Sequence, residues 1–135
     1  MVKKTAGYSG TPLVKKLGIK PESALALYQE PDDFRALLVD LPSDVEIRTD
    51  LRAKVDVAIL FVTRRADLAA KVVPAGKKIF PDGAIWAAWP KKACGVPTDI
   101  TEDTVREIAL PMGLVDNKVC AIDDTWSGLR ELLGN

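Results

Sequence analysis

The chain has 135 residues, 47% of them apolar and 28% charged, a length and balance that suit one compact core and exclude disorder or a second domain. Lys+Arg and Asp+Glu stand at 19 each, so no net charge draws the molecule to a polyanion and general nucleic-acid binding is not expected. Histidine is absent, which removes Ser-His-Asp and Cys-His nucleophile systems and nearly all zinc sites other than thiolate or carboxylate ones; no metal site is expected.

Residues 1–10 carry two glycines and no apolar periodicity and read as a flexible arm, leaving 11–135 as the folded domain. Thr11 and Pro12 fit the N-cap and first position of a short helix with Leu13, Val14 and Leu17 on one stripe, ended by Gly18. The run 23–28 reads as a buried strand. Asp32 or Asp33 then caps a helix in which Phe34, Leu37, Leu38 and Leu41 recur at helical spacing before Pro42.

Val45 and Ile47 alternate across 44–48, and 55–62 is a nearly continuous β-branched and apolar run of the kind that fills a central strand covered on both faces. The link between Arg48 and Val55 is too short for an ordinary parallel crossover. Either that pair is antiparallel or a short edge strand crosses under the sheet. Thr63 caps a helix over 64–73, closed by Pro74, Ala75 and Gly76. A strand at 84–89, a long loop, a helix from Thr101 to Leu110, a strand at 114–122 and a last helix carrying Trp126, Leu129, Leu132 and Leu133 complete the chain. Alternating strands and helices predict an α/β domain in three layers, with a mostly parallel sheet of about five strands between helices.

In such sheets ligands lie beyond the carboxyl ends of the strands. That edge is expected to gather Gln29, Glu30, Arg64, Arg65, Lys91, Lys92, Asp123 and Asp124. The segment 81–104 is the most informative, because a strand, a Lys-Lys pair and a helix start follow one another there, and cations near helix N-termini suit a phosphate or carboxylate. The turn after the first strand, Tyr28-Gln29-Glu30-Pro31-Asp32-Asp33, has no glycine and three acids, which repels phosphate and argues against ordinary NAD or S-adenosylmethionine use. Residues 7–12 (GYSGTP) precede a helix with Lys15 and Lys16 but lack the Walker spacing and a preceding strand. Cys94 lies beside Lys91 and Lys92, which favour its thiolate, yet it has no histidine or second cysteine nearby to make a nucleophile system. Asp123 and Asp124 are read as helix-capping groups rather than as a base or cation site.

The segments Leu17-Gly18-Ile19-Lys20-Pro21, Asp82-Gly83-Ala84-Ile85-Trp86 with Pro90-Lys91, Thr98-Asp99-Ile100, and Asp124-Thr125-Trp126-Ser127-Gly128-Leu129-Arg130 together resemble a family of small bacterial proteins of unknown function, DUF3052. The resemblance implies a bacterial source and a Rossmann-like sheet, and it carries no activity. It places Lys91, Asp99, Trp126, Ser127 and Arg130 in recurring motifs.

The expected ligand-binding set is Arg64, Arg65, Trp89, Lys91, Lys92, Asp99, Asp124, Trp126, Ser127 and Arg130, with no catalytic residue and no cofactor assigned. The leading expectation is a non-catalytic Rossmann-like domain for a small anion or an acidic protein partner. The alternative is a small transferase with a degenerate nucleotide or S-adenosylmethionine-type site. No run approaches the roughly 18 apolar residues that span a bilayer. A soluble cytoplasmic protein, monomer or homodimer, with Cys94 and Cys120 as free thiols, is expected.

Overall fold

The computed structural model describes residues 12–79 and 82–133. The expected arm, the Thr11 cap and the 7–12 loop (save Pro12) fall outside those residues, as does position 81. The helix α1 (Leu13–Leu17) leads to the strands β1 (Ala24–Tyr28), β2 (Glu46–Arg48) and β3 (Val57–Phe61), then α2 (Arg65–Ile79), β4 (Ala84–Pro90), α3 (Glu102–Ala109), β5 (Leu114–Ala121) and β6 (Trp126–Leu133). Strand order is β2-β1-β3-β4-β6-β5. The first four strands in that order are parallel, and β6 runs antiparallel to both β4 and β5.

The sheet is Rossmann-like α/β, with six strands rather than about five because 126–133 is a strand and not a helix. Trp126, Leu129, Leu132 and Leu133 have helical spacing, but the segment fills the slot between β4 and β5, where two ladders satisfy its backbone on both sides. Alternation then puts Leu129, Glu131 and Leu133 on one face, and Gly128, Arg130 and Leu132 on the other. The apparent cap at Asp123 is a hairpin turn: its Oδ1 accepts from the N–H groups of Thr125 and Trp126, both at 2.8 Å. Asx chemistry serves a turn as well as a helix start.

Three other expectations change. The segment around Phe34 makes only a 3-10 turn over Arg35–Leu37, although Phe34 and Leu38 are buried as the spacing requires. Confined between Pro31 and Pro42, and with no side-chain cap, it is too short to propagate an α-helix. Pro74 does not end α2, because Leu68, Val72, Ala75 and Ile79 continue a buried stripe across it and hold the helix past the missing N–H. Pro12 stands at the N-cap of α1, not inside it. The short link resolves as the edge-strand option: β2 pairs with β1, and residues 49–56 carry the chain past β1 to β3.

Two apolar layers enclose the sheet. On one face α2 and α3 cover Leu60, Ile85, Ala87 and Leu129 with Leu68, Val72, Ala75 and Val105. On the other, Val14, Leu17 and Phe34 cover Leu25, Ile59, Phe61 and Trp86. Trp86 is fully buried, and its indole N–H donates to the Leu17 carbonyl at 3.0 Å, which settles the one polar group that such burial would strand. Leu17 ends α1 by way of Gly18, whose φ of 78° is open to glycine at little cost.

A buried acid interrupts the first layer. Glu131 is 1% exposed, and its Oε2 meets no hydrogen-bond donor among the described residues. Burial, with the Asp116 carboxylate adding to it, pushes the carboxyl up to about 7, while Arg106 pulls it the other way. Arg106 is itself committed to Asp116 at 3.3 Å, to Asp103 at 3.3 Å and to Glu102. Among the described residues no helix is long and apolar enough to cross a membrane.

Candidate functional site

Chain order reverses between β1 and β3: β1 is followed by β2 on one side, while β3 and β4 build outward on the other. The carboxyl ends of β1 and β3 therefore flank the crevice in which open α/β sheets take ligands. Lys91 and Asp99 from the loop after β4, and Asp123 from the β5–β6 turn, reach the same edge.

The cationic loop is tied down by its own chain. Asp99 Oδ1 accepts from the Arg65 backbone N–H at 2.6 Å, so the first turn of α2 already holds a carboxylate. The Asp99 N–H and the Thr98 hydroxyl both donate to the Thr63 carbonyl, at 3.3 and 2.6 Å. Lys91 donates from Nζ to the Asp123 carbonyl and from its backbone N–H to the Thr125 carbonyl, both at 2.7 Å. Arg65 pairs with Glu107 of α3 at 3.0 Å. Arg64, Lys92 and Asp124 are exposed on this edge.

Trp89 is buried against the α2 and α3 layer, and Ser127 is its cross-strand partner on β6. Trp126 stacks edge-on to Phe61 at 5.2 Å, and Phe61 to Phe34 at 4.9 Å, which forms an aromatic wall under the rim. Arg130 is not part of this group. It pairs with Trp86 halfway down the sheet and lies against Gly18, so nine of the ten expected residues belong to one end of the molecule and Arg130 to another.

Beside this rim, a cleft of about 260 Å³ opens at the carboxyl ends of β1 and β2 against α2, lined by Tyr28, Thr49, Asp50, Leu51, Lys71 and Pro74 among others. Lys71 Nζ sits 4.6 Å from the centre of the Tyr28 ring, a cation–π contact worth about 0.5–1 kcal/mol at an exposed site. Asp50 spends one carboxylate oxygen on the Arg52 N–H at 3.1 Å. None of these lining residues is in the expected set. Asp50 did carry a signal, since it follows the first strand by about the twenty residues at which dinucleotide-binding folds place their ribose-holding acid. Lys71, in mid-helix, carried none. Among the described residues no group of three or more His, Cys, Asp or Glu is placed to hold a metal ion.

Comparison with known proteins agrees with this fold. A family model described as a protein of unknown function (DUF3052) matches residues 15–133. No curated protein matches the chain. Among solved structures, a SAM-dependent methyltransferase from Aquifex aeolicus is similar at 12% identity and a TM-score of 0.62, over 88% of this chain and 86% of that one. The magnesium protoporphyrin IX methyltransferase of Synechocystis PCC 6803 with bound SAM is similar at 9% identity and 0.58, over 90% and 74%. Aeropyrum pernix fibrillarin with natively bound S-adenosyl-L-methionine is similar at 14% identity and 0.58, over 93% and 70%. At such identities the likeness is one of fold.

Proposed function

This chain belongs to DUF3052, a family of unknown function, and on that premise we propose that it is a Rossmann-like binding domain for one small anionic ligand, without catalysis of its own. The supporting observation is the cleft at the carboxyl ends of β1 and β2, beside the reversal of strand order, which Lys71, Asp50 and Tyr28 line together. The Lys71 ammonium offers donors to a carboxylate or phosphate, Asp50 and Thr49 accept from or bond to hydroxyls, and Tyr28 and Leu51 give a flat apolar group something to lie on.

Two features restrict the ligand. Asp99 occupies the start of α2, so the anion is met by a side chain rather than by a helix terminus. Glu30, Asp32 and Asp33, in a turn without glycine, disfavour a pyrophosphate, which leaves a single anionic group. Calorimetric titration of AMP, adenosine and inorganic phosphate tests the reading. AMP is expected to bind saturably, and Lys71→Ala to weaken it by about tenfold or more. Absence of saturable heat from AMP and phosphate alike, or binding indifferent to Lys71→Ala, would sink it.

A second reading, a small transferase with a degenerate S-adenosylmethionine-type site, draws support from the fold likeness to proteins solved with that molecule. The acids of the 28–33 turn count against a phosphate-bearing cofactor but not against this one, which has no phosphate and carries a sulfonium cation that Asp32 and Asp33 attract. Native mass spectrometry of the freshly purified protein separates the two readings: retained S-adenosylmethionine favours the transferase, and its absence together with AMP binding favours the binding domain.

A further inference from the structure

At the opposite, amino edge of the sheet a separate cleft of about 280 Å³ is lined by Gly18, Lys20, Glu22, Asp56, Asp82 and Arg130 among others. Arg130 is the unusual member. Arg35, Arg48, Arg65 and Arg106 pair with carboxylates, whereas the Arg130 Nε is buried and meets no acceptor among the described residues. Its Nε–H is thus an unmet donor among the described residues, on a planar guanidinium whose shape matches a carboxylate. Its Nη2 lies close to Gly18, within 3.5 Å of an ideal Cβ position there, which places the guanidinium beside the end of α1.

The charges around it are mixed. Lys20 and Arg130 line one cleft together with Glu22, Asp56 and Asp82. A simple anion there meets three carboxylates, and a simple cation meets the guanidinium. Asp82 is engaged with Lys54 at 3.4 Å, and Asp56 accepts the Ala24 N–H on Oδ2 at 2.8 Å and interacts electrostatically with Arg48. We propose that this cleft binds a small zwitterion of the amino-acid type, with Arg130 receiving the carboxylate and Asp56 and Glu22 the ammonium. The choice of a small ligand rests on charge rather than on volume: opposite charges stand within one cleft of about 280 Å³, so the two ends of a short zwitterion can meet both.

The test is a titration of the whole protein with glycine, L-alanine, acetate, methylammonium and inorganic phosphate, read by saturation-transfer NMR. Glycine or L-alanine is expected to bind saturably at millimolar concentration, with acetate, methylammonium and phosphate each weaker by about tenfold or more. Arg130→Met and Asp56→Asn are each expected to remove the amino-acid signal. No saturable signal from either amino acid, phosphate binding as tightly as they do, or binding kept by a folded Arg130→Met variant overturns the proposal. Should either variant fail to fold, the order of affinities in the wild-type protein decides alone.

Discussion

The Asp99 carboxylate and the Arg65 backbone N–H are joined by a 2.6 Å hydrogen bond across 34 residues, so the loop after β4 closes the start of α2. Asp99→Ala is expected to cost about 1 kcal/mol, within the range for lost helix caps, measured by urea unfolding. The vacated helix start then becomes an anion seat, and added phosphate should stabilise the variant more than the wild-type protein. Equal stabilisation of both would show that Asp99 does not hold that position.

Glu131 gives the protein a pH dependence with a defined sign. Its carboxyl ionises near the ordinary 4.5 in the unfolded chain and at about 7 in the folded one, so between these values the folded state holds a proton that the unfolded state has released. Stability from this group is full below the lower value, falls as pH rises through the window, and levels off above the upper one. Against a Glu131→Gln reference, unfolding free energies are expected to decline by roughly 1 kcal/mol per pH unit at the steepest, and the variant to be the more stable at about pH 8. A flat difference across the window would refute the assignment.

The two thiols should separate in reactivity. Cys94 is exposed, whereas Cys120 is partly covered and burial pushes its thiol up, an effect that Lys16 and Lys118 only partly offset. Because the thiolate is the reactive form, an aromatic disulfide reagent near neutral pH should label Cys94 first, with Cys120 slower by about tenfold or more. Cys94→Ser should abolish the fast phase; a fast phase that survives it contradicts the argument.

Two glycines rank by what surrounds them. A Cβ on Gly83 would stand 2.8 Å from the carbonyl oxygens of Asp56 and Ile79, backbone atoms fixed by the ends of β3 and α2. On Gly128 it would meet Trp86 at 3.0 Å and Ile122 at 3.1 Å, side chains with some freedom to yield. Gly128→Ala is expected to cost about 1–3 kcal/mol and Gly83→Ala more, as two thermal melts would report. The reverse order would mean that the backbone at Gly83 gives more readily than the Trp86 ring.

The parallel half of the sheet was legible because buried strands read as unbroken apolar runs, as Val57–Phe61 and Ala84–Trp89 do. Trp126–Leu133 was not, since its spacing fits a helix and its true state depends on β4 and β5 as partners. The same division holds at the rim. That Lys91 and Asp99 reach the strand ends follows from local order, but their partners, the Asp123 carbonyl and the Arg65 N–H, lie 32 and 34 residues away. Lys71 and Tyr28 met only through the packing of α2 on β1, and nothing near either residue announces the other.

The position of β6 also orders events in time. Trp86 must wait for Arg130, and both β4 and β5 are synthesised before the strand that joins them. A nascent chain halted short of Trp126 therefore holds a split sheet, with the backbone of Ile85, Ala87 and Trp89 open along one edge and ready to pair with another chain. Closure of that gap is a non-local step, and slow docking of β6 lengthens the interval in which the unfinished molecule is prone to aggregate.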